Sequence, residues 1–339
     1  MILYTPSTRP PLIEYGIDIP SSPDKSKKVL DALRSDPVLA ERVGEWLIGS
    51  DGSTIEKADL LRVHSPEYVA RLYSPAIADV IVEVFELYGP DGKPHRYNPE
   101  AATRPLSEMF YGSLTGVAGT YQCCKEALAR GFCFYLGGGA HHGHRDFGHG
   151  FCVVNDIVIA LRKMQAEGRI RTAWVIDIDA HKGDGTAALT HGDDTIVTVS
   201  AHMAHGWPLD EPAVRPDGSP NPAFLPSDID IPVDSGEEAE YVPRLAAALE
   251  LLAKRPKPDL ALVVSGVDPY ERDMLPSTQP LKLTAAQMAD RDRVVYDFLM
   301  TRSIPSAYLM AGGYGPHAWE PYVPFLTRVL RERVTGRSV

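Results

Sequence analysis

Asp177, Asp179 and His181 stand on alternate residues of the run Trp174-Val-Ile-Asp-Ile-Asp-Ala-His-Lys-Gly-Asp184. Read as a β-strand, that spacing sends three ligand-type side chains out of one face just where the apolar residues stop. A lone Asp at a strand end is an ordinary turn former, and a lone His is ordinarily packed or solvated. Three in register, followed by Gly183-Asp184-Gly185, point instead to a metal site. Ser265-Gly-Val-Asp268-Pro269 closes another apolar run with a carboxylate, which completes an Asp, His, Asp set and leaves positions open for water and substrate. Two carboxylates offset the charge of a divalent ion, and an open position suits catalysis because water held there ionises near neutrality.

Groups that move protons lie at neighbouring run ends. Gly137-Gly-Gly-Ala-His141-His142-Gly143 carries two adjacent imidazoles, either of which could act as general base. His144 and His149 read as solvated residues of a Gly-rich turn. Asp184, three residues past His181, is near enough to brace an imidazole and tune its basicity. Ala311-Gly-Gly-Tyr314-Gly315 carries a phenol able to donate to a developing oxyanion. Taken alone Tyr314 is a turn residue; beside the other reactive strand ends it reads as catalytic. The glycines at 137–139 do not make a phosphate loop, since no Gly-Lys-Ser/Thr follows and no GxGxxG is completed.

These residues need a scaffold that brings distant run ends together. Short apolar runs at 132–136, 173–178, 196–200, 260–265 and 307–311 read as buried parallel strands. Helical patterns cover 107–130, 152–165, 238–253 and 284–302, the last opened by Thr284-Ala-Ala-Gln287 as a capping box. Strand, loop and helix repeated in this way imply an α/β fold with a central parallel sheet and helices on both faces. Ligands then gather outside the carboxyl ends of the strands. Residues 93–104 and 204–232 read as extended Pro-rich loops fit to wall a pocket. No composition break or repeat divides the chain, so a single domain over residues 1–339 is expected.

The chain has 339 residues and a formal net charge of −11, which argues against a polyanion-binding surface and so against nucleic acid as partner. A cationic ligand such as a lysine-containing peptide or a polyamine would be steered favourably. Cys123, Cys124, Cys133 and Cys152 show no CxxC spacing, which suits reduced core thiols. The N-terminal residues lack a signal-peptide pattern and no apolar stretch reaches spanning length, so a soluble, cytoplasmic protein without membrane attachment is expected.

The five elements GGGAHHG, GFCVVND, VIDIDAHKGDG, SGVDP and AGGYG, in this order, resemble the zinc-dependent histone deacetylase family, including its bacterial histone-deacetylase-like amidohydrolases. The resemblance runs from Val63-His-Ser-Pro-Glu-Tyr68 to Trp319 and implies an arginase/deacetylase-like architecture. It implies that Asp179, His181 and Asp268 hold Zn²⁺, that Asp177 braces His141, and that Asp184 braces His142. His142 becomes the base and subsequent acid, and Tyr314 the carbonyl-polarising phenol. Gly150 and Phe151 match the acyl-lysine channel. Trp207 is the candidate for its opposing wall, although the surrounding loop departs from the usual Phe-containing pattern. A structural K⁺ or Na⁺ near Asp177, Asp179, His181, Ser200 and Ala201 is also implied.

Lys182 stands where the family often has His or Gln; it either adds a cation beside the metal ligands or, as the outward-pointing neighbour of His181, is only a surface residue. Related arginase-like enzymes hold two manganese ions but need a further carboxylate, whereas Asp268 is followed by Pro269 and Tyr270; one catalytic ion is therefore expected. An Asp, His, Asp set does not discriminate Zn²⁺ from Fe²⁺. The activity implied is hydrolysis of an N-acyl amide, foremost the acetylated side chain of lysine in a peptide or protein. Acetylpolyamines are the alternative substrate, disfavoured because some polyamine-selective relatives place an acid at the position of Leu275. A non-catalytic acyl-binding scaffold is the remaining alternative. The sequence carries no signal for oligomeric state.

Overall fold

The computed structural model describes residues 1–6, 10–215 and 217–336. Eight strands form one parallel sheet: β1 (Ile2–Leu3), β2 (Leu47–Ile48), β3 (Phe132–Tyr135), β4 (Ala173–Asp177), β5 (Ile196–Met203), β6 (Ile229–Val233), β7 (Leu260–Val264) and β8 (Ser306–Leu309). Their spatial order is β2-β1-β3-β8-β7-β4-β5-β6, and every strand pairing is parallel.

Alternation along the strands divides the apolar residues between two cores, which is why these strands read as continuous hydrophobic runs. Phe132, Phe134, Trp174, Ile176, Ala261 and Val263 enter one core. It is closed by helices α1 (Lys25–Arg34), α5 (Tyr241–Leu252), α6 (Ala285–Thr301) and α7 (Tyr322–Thr335). Cys133, Tyr135, Ala173, Val175, Leu260 and Leu262 enter the other, against α2 (Glu108–Arg130) and α3 (Asp156–Ala166), while α4 (Asp184–Thr190) follows the turn after β4. Helices therefore cover both faces, as the sequence predicts. All four cysteines are free and buried, the state expected of core thiols. Among the described residues no helix is long and apolar enough to cross a membrane.

Several predicted boundaries shift. The segment 204–232 is not wholly a loop, because its end pairs with β5 as β6. Pro232 obscures that strand in the sequence, yet β6 lies at the sheet edge, where a missing N–H breaks no ladder. Residue 216 of the same segment lies outside the described residues. The helix predicted at 152–165 begins at Asp156, because the Asn155 side chain caps it by accepting from Val158 N at 3.0 Å. The Thr284 capping box is formed: Gln287 Oε1 accepts from Thr284 N at 2.9 Å, and Thr284 Oγ1 accepts from Gln287 N at 3.3 Å.

Candidate active site

The carboxyl ends of β3, β8, β7 and β4 are adjacent in the sheet, and the loops leaving them converge. Asp179, His181 and Asp268 come together there, each buried, with one potential ligand atom apiece lying within 4.8 Å of the others. Strand β4 ends at Asp177, so Asp179 and His181 sit in the following turn rather than on a strand face as expected. That turn is held by its own carboxylates: Asp179 N donates to Asp177 Oδ1 and His181 N to Asp179 Oδ1, both at 3.1 Å.

His181 Nδ1 lies 3.0 Å from Asp268 Oδ2 and 3.3 Å from Asp179 Oδ1, while its Nε2 hydrogen-bonds Ser277 Oγ at 3.0 Å. Donation from Nε2 to Ser277 leaves the Nδ1 lone pair facing the two carboxylates, which suits a cation. The electrostatics agree. Burial and the nearby Asp179 carboxylate push Asp268 up to about 7. Burial opposes protonation of His181, but bonding to Asp179 and Asp268 raises it to about 9. A buried carboxylate and an imidazole that hold protons beside the ionised Asp179 carboxylate fit a divalent cation, which would replace those protons. Gly312 is needed for this approach: its N donates to Asp179 Oδ2 at 3.0 Å, and a Cβ there would meet Asp268 Oδ2 at 2.7 Å.

The histidine pair lies beside this set. His141 Nδ1 bonds Asp177 Oδ2 and His142 Nδ1 bonds Asp184 Oδ1, each at 2.6 Å. The two rings diverge electrostatically. Burial opposes charge on His141, yet the Asp177 and Asp179 carboxylates raise it to about 10. Burial lowers His142 to about 3, reinforced by positive charge on His141 and only partly offset by Asp184. His142 is thus the imidazole of the pair that sheds its proton more readily, while the His141–Asp177 pair holds its shared proton tightly.

A cavity of about 220 Å³ opens over this constellation, lined by His142, Gly150, Phe151, His181, Trp207, Leu275 and Tyr314, together with Glu86, Arg96, Asp210 and Ser277. Phe151 and Trp207 therefore share one channel. Gly150 has a φ of 51°, and a Cβ on it would collide with the Trp207 ring and with His142 Cδ2, so only glycine fits between them. A second cavity of about 280 Å³ reaches behind the site past Ser21, Ser22 and Lys25.

Two predicted roles are corrected. His144 is not a solvated turn residue: it is buried, and its Nε2 bonds Asp184 Oδ2 at 2.9 Å. His149 also approaches Asp184, with its side chain only 24% exposed. Lys182 is not at the surface. It is buried, with Nζ donating to Leu225 O at 2.8 Å, because the turn after β4 directs it under the loop at 222–225. Ser200 stands opposite Asp177 in the β4–β5 register with Ala201 next to it, and Ser200 Oγ accepts from Gly183 N at 3.3 Å.

Several positioning residues carry no strong sequence signal. Arg291 is fully buried, donating from Nη1 to Ile178 O at 2.9 Å and Gly266 O at 2.6 Å, which ties together the turns bearing Asp179 and Asp268. Asp273 Oδ2 accepts from Tyr314 N at 2.6 Å. Asp156 accepts from Ala140 N at 2.6 Å and Gly139 N at 3.0 Å, fixing the loop before the histidine pair. Lys25 Nζ donates to the carbonyls of Ala311, Gly312 and Gly313 at 3.0, 3.4 and 3.3 Å.

The profile described as the histone deacetylase domain matches residues 19–330. The chain belongs to the histone deacetylase family. Histone deacetylase 2 of Arabidopsis thaliana is 29% identical over 315 residues, 90% of this chain and 76% of that one. A probable deacetylase of Methanothermobacter thermautotrophicus is 26% identical over 304 residues, 87% and 80% of the two chains. An uncharacterised protein of Picosynechococcus is 32% identical over 203 residues, 60% of this chain, and the match spans 62% of that relative, less than two thirds of its length. Membership in the histone deacetylase family accounts for the sheet and supports a hydrolase.

Proposed function

We propose that the protein is a metal-dependent amidohydrolase that removes the acetyl group from the side chain of lysine, with residues 1–339 acting as one catalytic domain. Asp179, His181 and Asp268 would hold a Zn²⁺ or Fe²⁺ ion. When bound, such an ion supplies Lewis acidity toward an amide carbonyl and makes water acidic enough to lose its proton near neutrality. A K⁺ or Na⁺ beside Asp177, Asp179, His181, Ser200 and Ala201 belongs to the same reading.

This chain's residues supply the remainder. Phe151 and Trp207 enclose the aliphatic stem and exclude water, which orients the amide over His142 and Tyr314. Tyr314 donates its phenolic proton as a hydrogen bond to the carbonyl oxygen as negative charge grows there. Burial, with the Asp268 and Asp179 charges, raises the phenol well above its usual range, so it remains a donor. His142 Nε2 takes the proton of the attacking water, a carbon–oxygen bond forms, and the carbon–nitrogen bond breaks as His142 returns that proton to the leaving amine. His141, bonded to Asp177, packs against His142 with ring centroids 3.9 Å apart and fixes its position. The cavity behind the site, with the Lys25 ammonium on its wall, suits the carboxylate product. Leu275 leaves that part of the channel without the extra acid a polyamine would favour.

The observation that carries this reading is geometric: the Asp184-braced His142 lines one cavity with His181 and Tyr314, and Asp179 and Asp268 converge on His181. A panel of acyl-lysine peptides and acetylspermidine, assayed before and after chelation and after Zn²⁺ or Fe²⁺ restoration, tests it. Acetate released from acetyl-lysine, lost on chelation and recovered with metal, is expected. Faster turnover of acetylspermidine would move the assignment to polyamines. Tight hydroxamate binding without acetate release from any substrate would favour an acyl-binding scaffold. The buried thiols and acidic charge suit a reducing, cytoplasmic setting.

A further inference from the structure

We propose that His144, His149 and Asp184 form a second divalent-cation site, separate from the Asp179, His181, Asp268 set. The three offer ligand atoms that all lie within 4.8 Å of one another. His144 Nε2 is 2.9 Å and His149 Nδ1 3.7 Å from the same Asp184 oxygen, Oδ2. Tetrahedral zinc with bonds of about 2.0–2.1 Å holds its donors roughly 3.3 Å apart, and these two separations straddle that value. Adjustments of about 0.4 Å in each of these two separations would bring both to it.

The site also contains an unmet donor. His149 Nδ1 is a buried atom with no hydrogen-bond partner, although it stands beside a carboxylate that accepts from two other imidazoles. Were Asp184 merely a shared acceptor, His149 would be expected at hydrogen-bonding distance; 3.7 Å is too long. An ion between the rings and Oδ2 satisfies all three at once.

Packing holds both imidazoles in place. The His144 ring stacks on Phe147 at 4.5 Å and 15°, and the His144 carbonyl hydrogen-bonds His64 Nδ1 at 2.7 Å. The His149 ring lies 4.7 Å from that of Trp207, while its backbone exchanges hydrogen bonds with Cys152 at 2.8 and 3.1 Å. Two imidazoles and one carboxylate favour Zn²⁺, Co²⁺, Ni²⁺ or Cu²⁺ over Mg²⁺ or Ca²⁺.

The site shares its carboxylate with the catalytic pair, since Asp184 Oδ1 holds His142 Nδ1 at 2.6 Å. An ion on Oδ2 draws on the same negative charge that orients His142. Occupancy should therefore slow turnover, making the enzyme responsive to transition metal beyond its first equivalent.

Metal-stripped full-length protein titrated with Co²⁺, with visible absorbance and bound metal both quantified, tests the proposal. Wild type is expected to take up two equivalents, His149→Ala one, and His181→Ala one. The double variant His149→Ala/His181→Ala is expected to bind none. In turnover assays, Zn²⁺ beyond one equivalent should slow wild type at least tenfold relative to its own one-equivalent rate, and His149→Ala much less. A wild type that saturates at one equivalent, kept by His149→Ala and lost by His181→Ala, overturns the second site and leaves the catalytic ion standing. Two equivalents retained by His149→Ala also overturn it.

Discussion

Asp184 Oδ1 and His142 Nδ1 are 2.6 Å apart, and that contact directs the other nitrogen of the imidazole toward the channel. In the proposed mechanism the carboxylate fixes the tautomer and stabilises the cation formed when His142 takes a proton. Asp184→Asn is expected to lower kcat by on the order of 100-fold or more with little change in KM. Steady-state kinetics on an acetyl-lysine peptide measure this, and a kcat equal to wild type would remove Asp184 from the proton-transfer machinery.

Tyr314 is placed by its backbone, through Asp273, while its ring faces Phe151 at 6.3 Å. Tyr314→Phe keeps the ring and deletes the donor. Turnover is expected to fall by roughly 100-fold or more, as for loss of one oxyanion donor, with hydroxamate binding much less affected. Equal losses in kcat and in ground-state binding would argue for a packing role instead.

Burial lowers Lys25 to about 8, against the pull of the Asp268, Asp273 and Asp179 charges. Its charge is present below that pH and lost as pH rises through it, releasing the carbonyls of 311–313 that lead into Tyr314. An alkaline limb in kcat/KM near pH 8 is expected. In Lys25→Arg it should move upward, because a guanidinium stays charged throughout. Superimposable profiles for the two proteins would sever Lys25 from that limb.

Gly312→Ala places a methyl group against Asp179 and Asp268. Weakening of metal affinity by about 10–100-fold is expected, comparable to loss of an outer-shell partner, with the far-ultraviolet circular dichroism unchanged. Competition against a chromophoric chelator reads the affinity; wild-type affinity would mean that the loop gives way freely.

Arg291 pairs with Asp292 in the core, Nη2 to Oδ1 at 2.7 Å. Arg291→Met strands a buried carboxylate and leaves two carbonyls without a donor, a change that costs about 3–5 kcal/mol in comparable cases. Urea denaturation should register a loss of that size, and Arg291→Met/Asp292→Leu should recover part of it. No loss in the single variant would mean that water replaces the guanidinium.

Sequence made the chemistry legible wherever a reactive residue ended an apolar run. The Asp, His, Asp set, the histidine pair and Tyr314 converge because the topology makes β3, β8, β7 and β4 neighbours. Periodicity revealed the long central strands but not β1 and β2, which have two residues each and cannot show a period. Lys182, His144 and Arg291 were opaque for another reason: charged or polar side chains read as solvent-facing unless their burial partners are known, and those partners lie 43, 40 and 113 positions away. Asp156 and Asp273 act through backbone amides of other loops, an interaction that leaves no pattern in residue types.

The order of strands across the sheet has a consequence for biosynthesis. β8 lies between β3 and β7, so a strand made after both of its neighbours is inserted between them. A nascent chain that has emerged only as far as α6 has Asp179, His181 and Asp268 but lacks the wedge that seats β3 beside β7, and it lacks the Gly312 amide that bonds Asp179. Competence should arrive all at once, when β8 and the loop that follows it emerge.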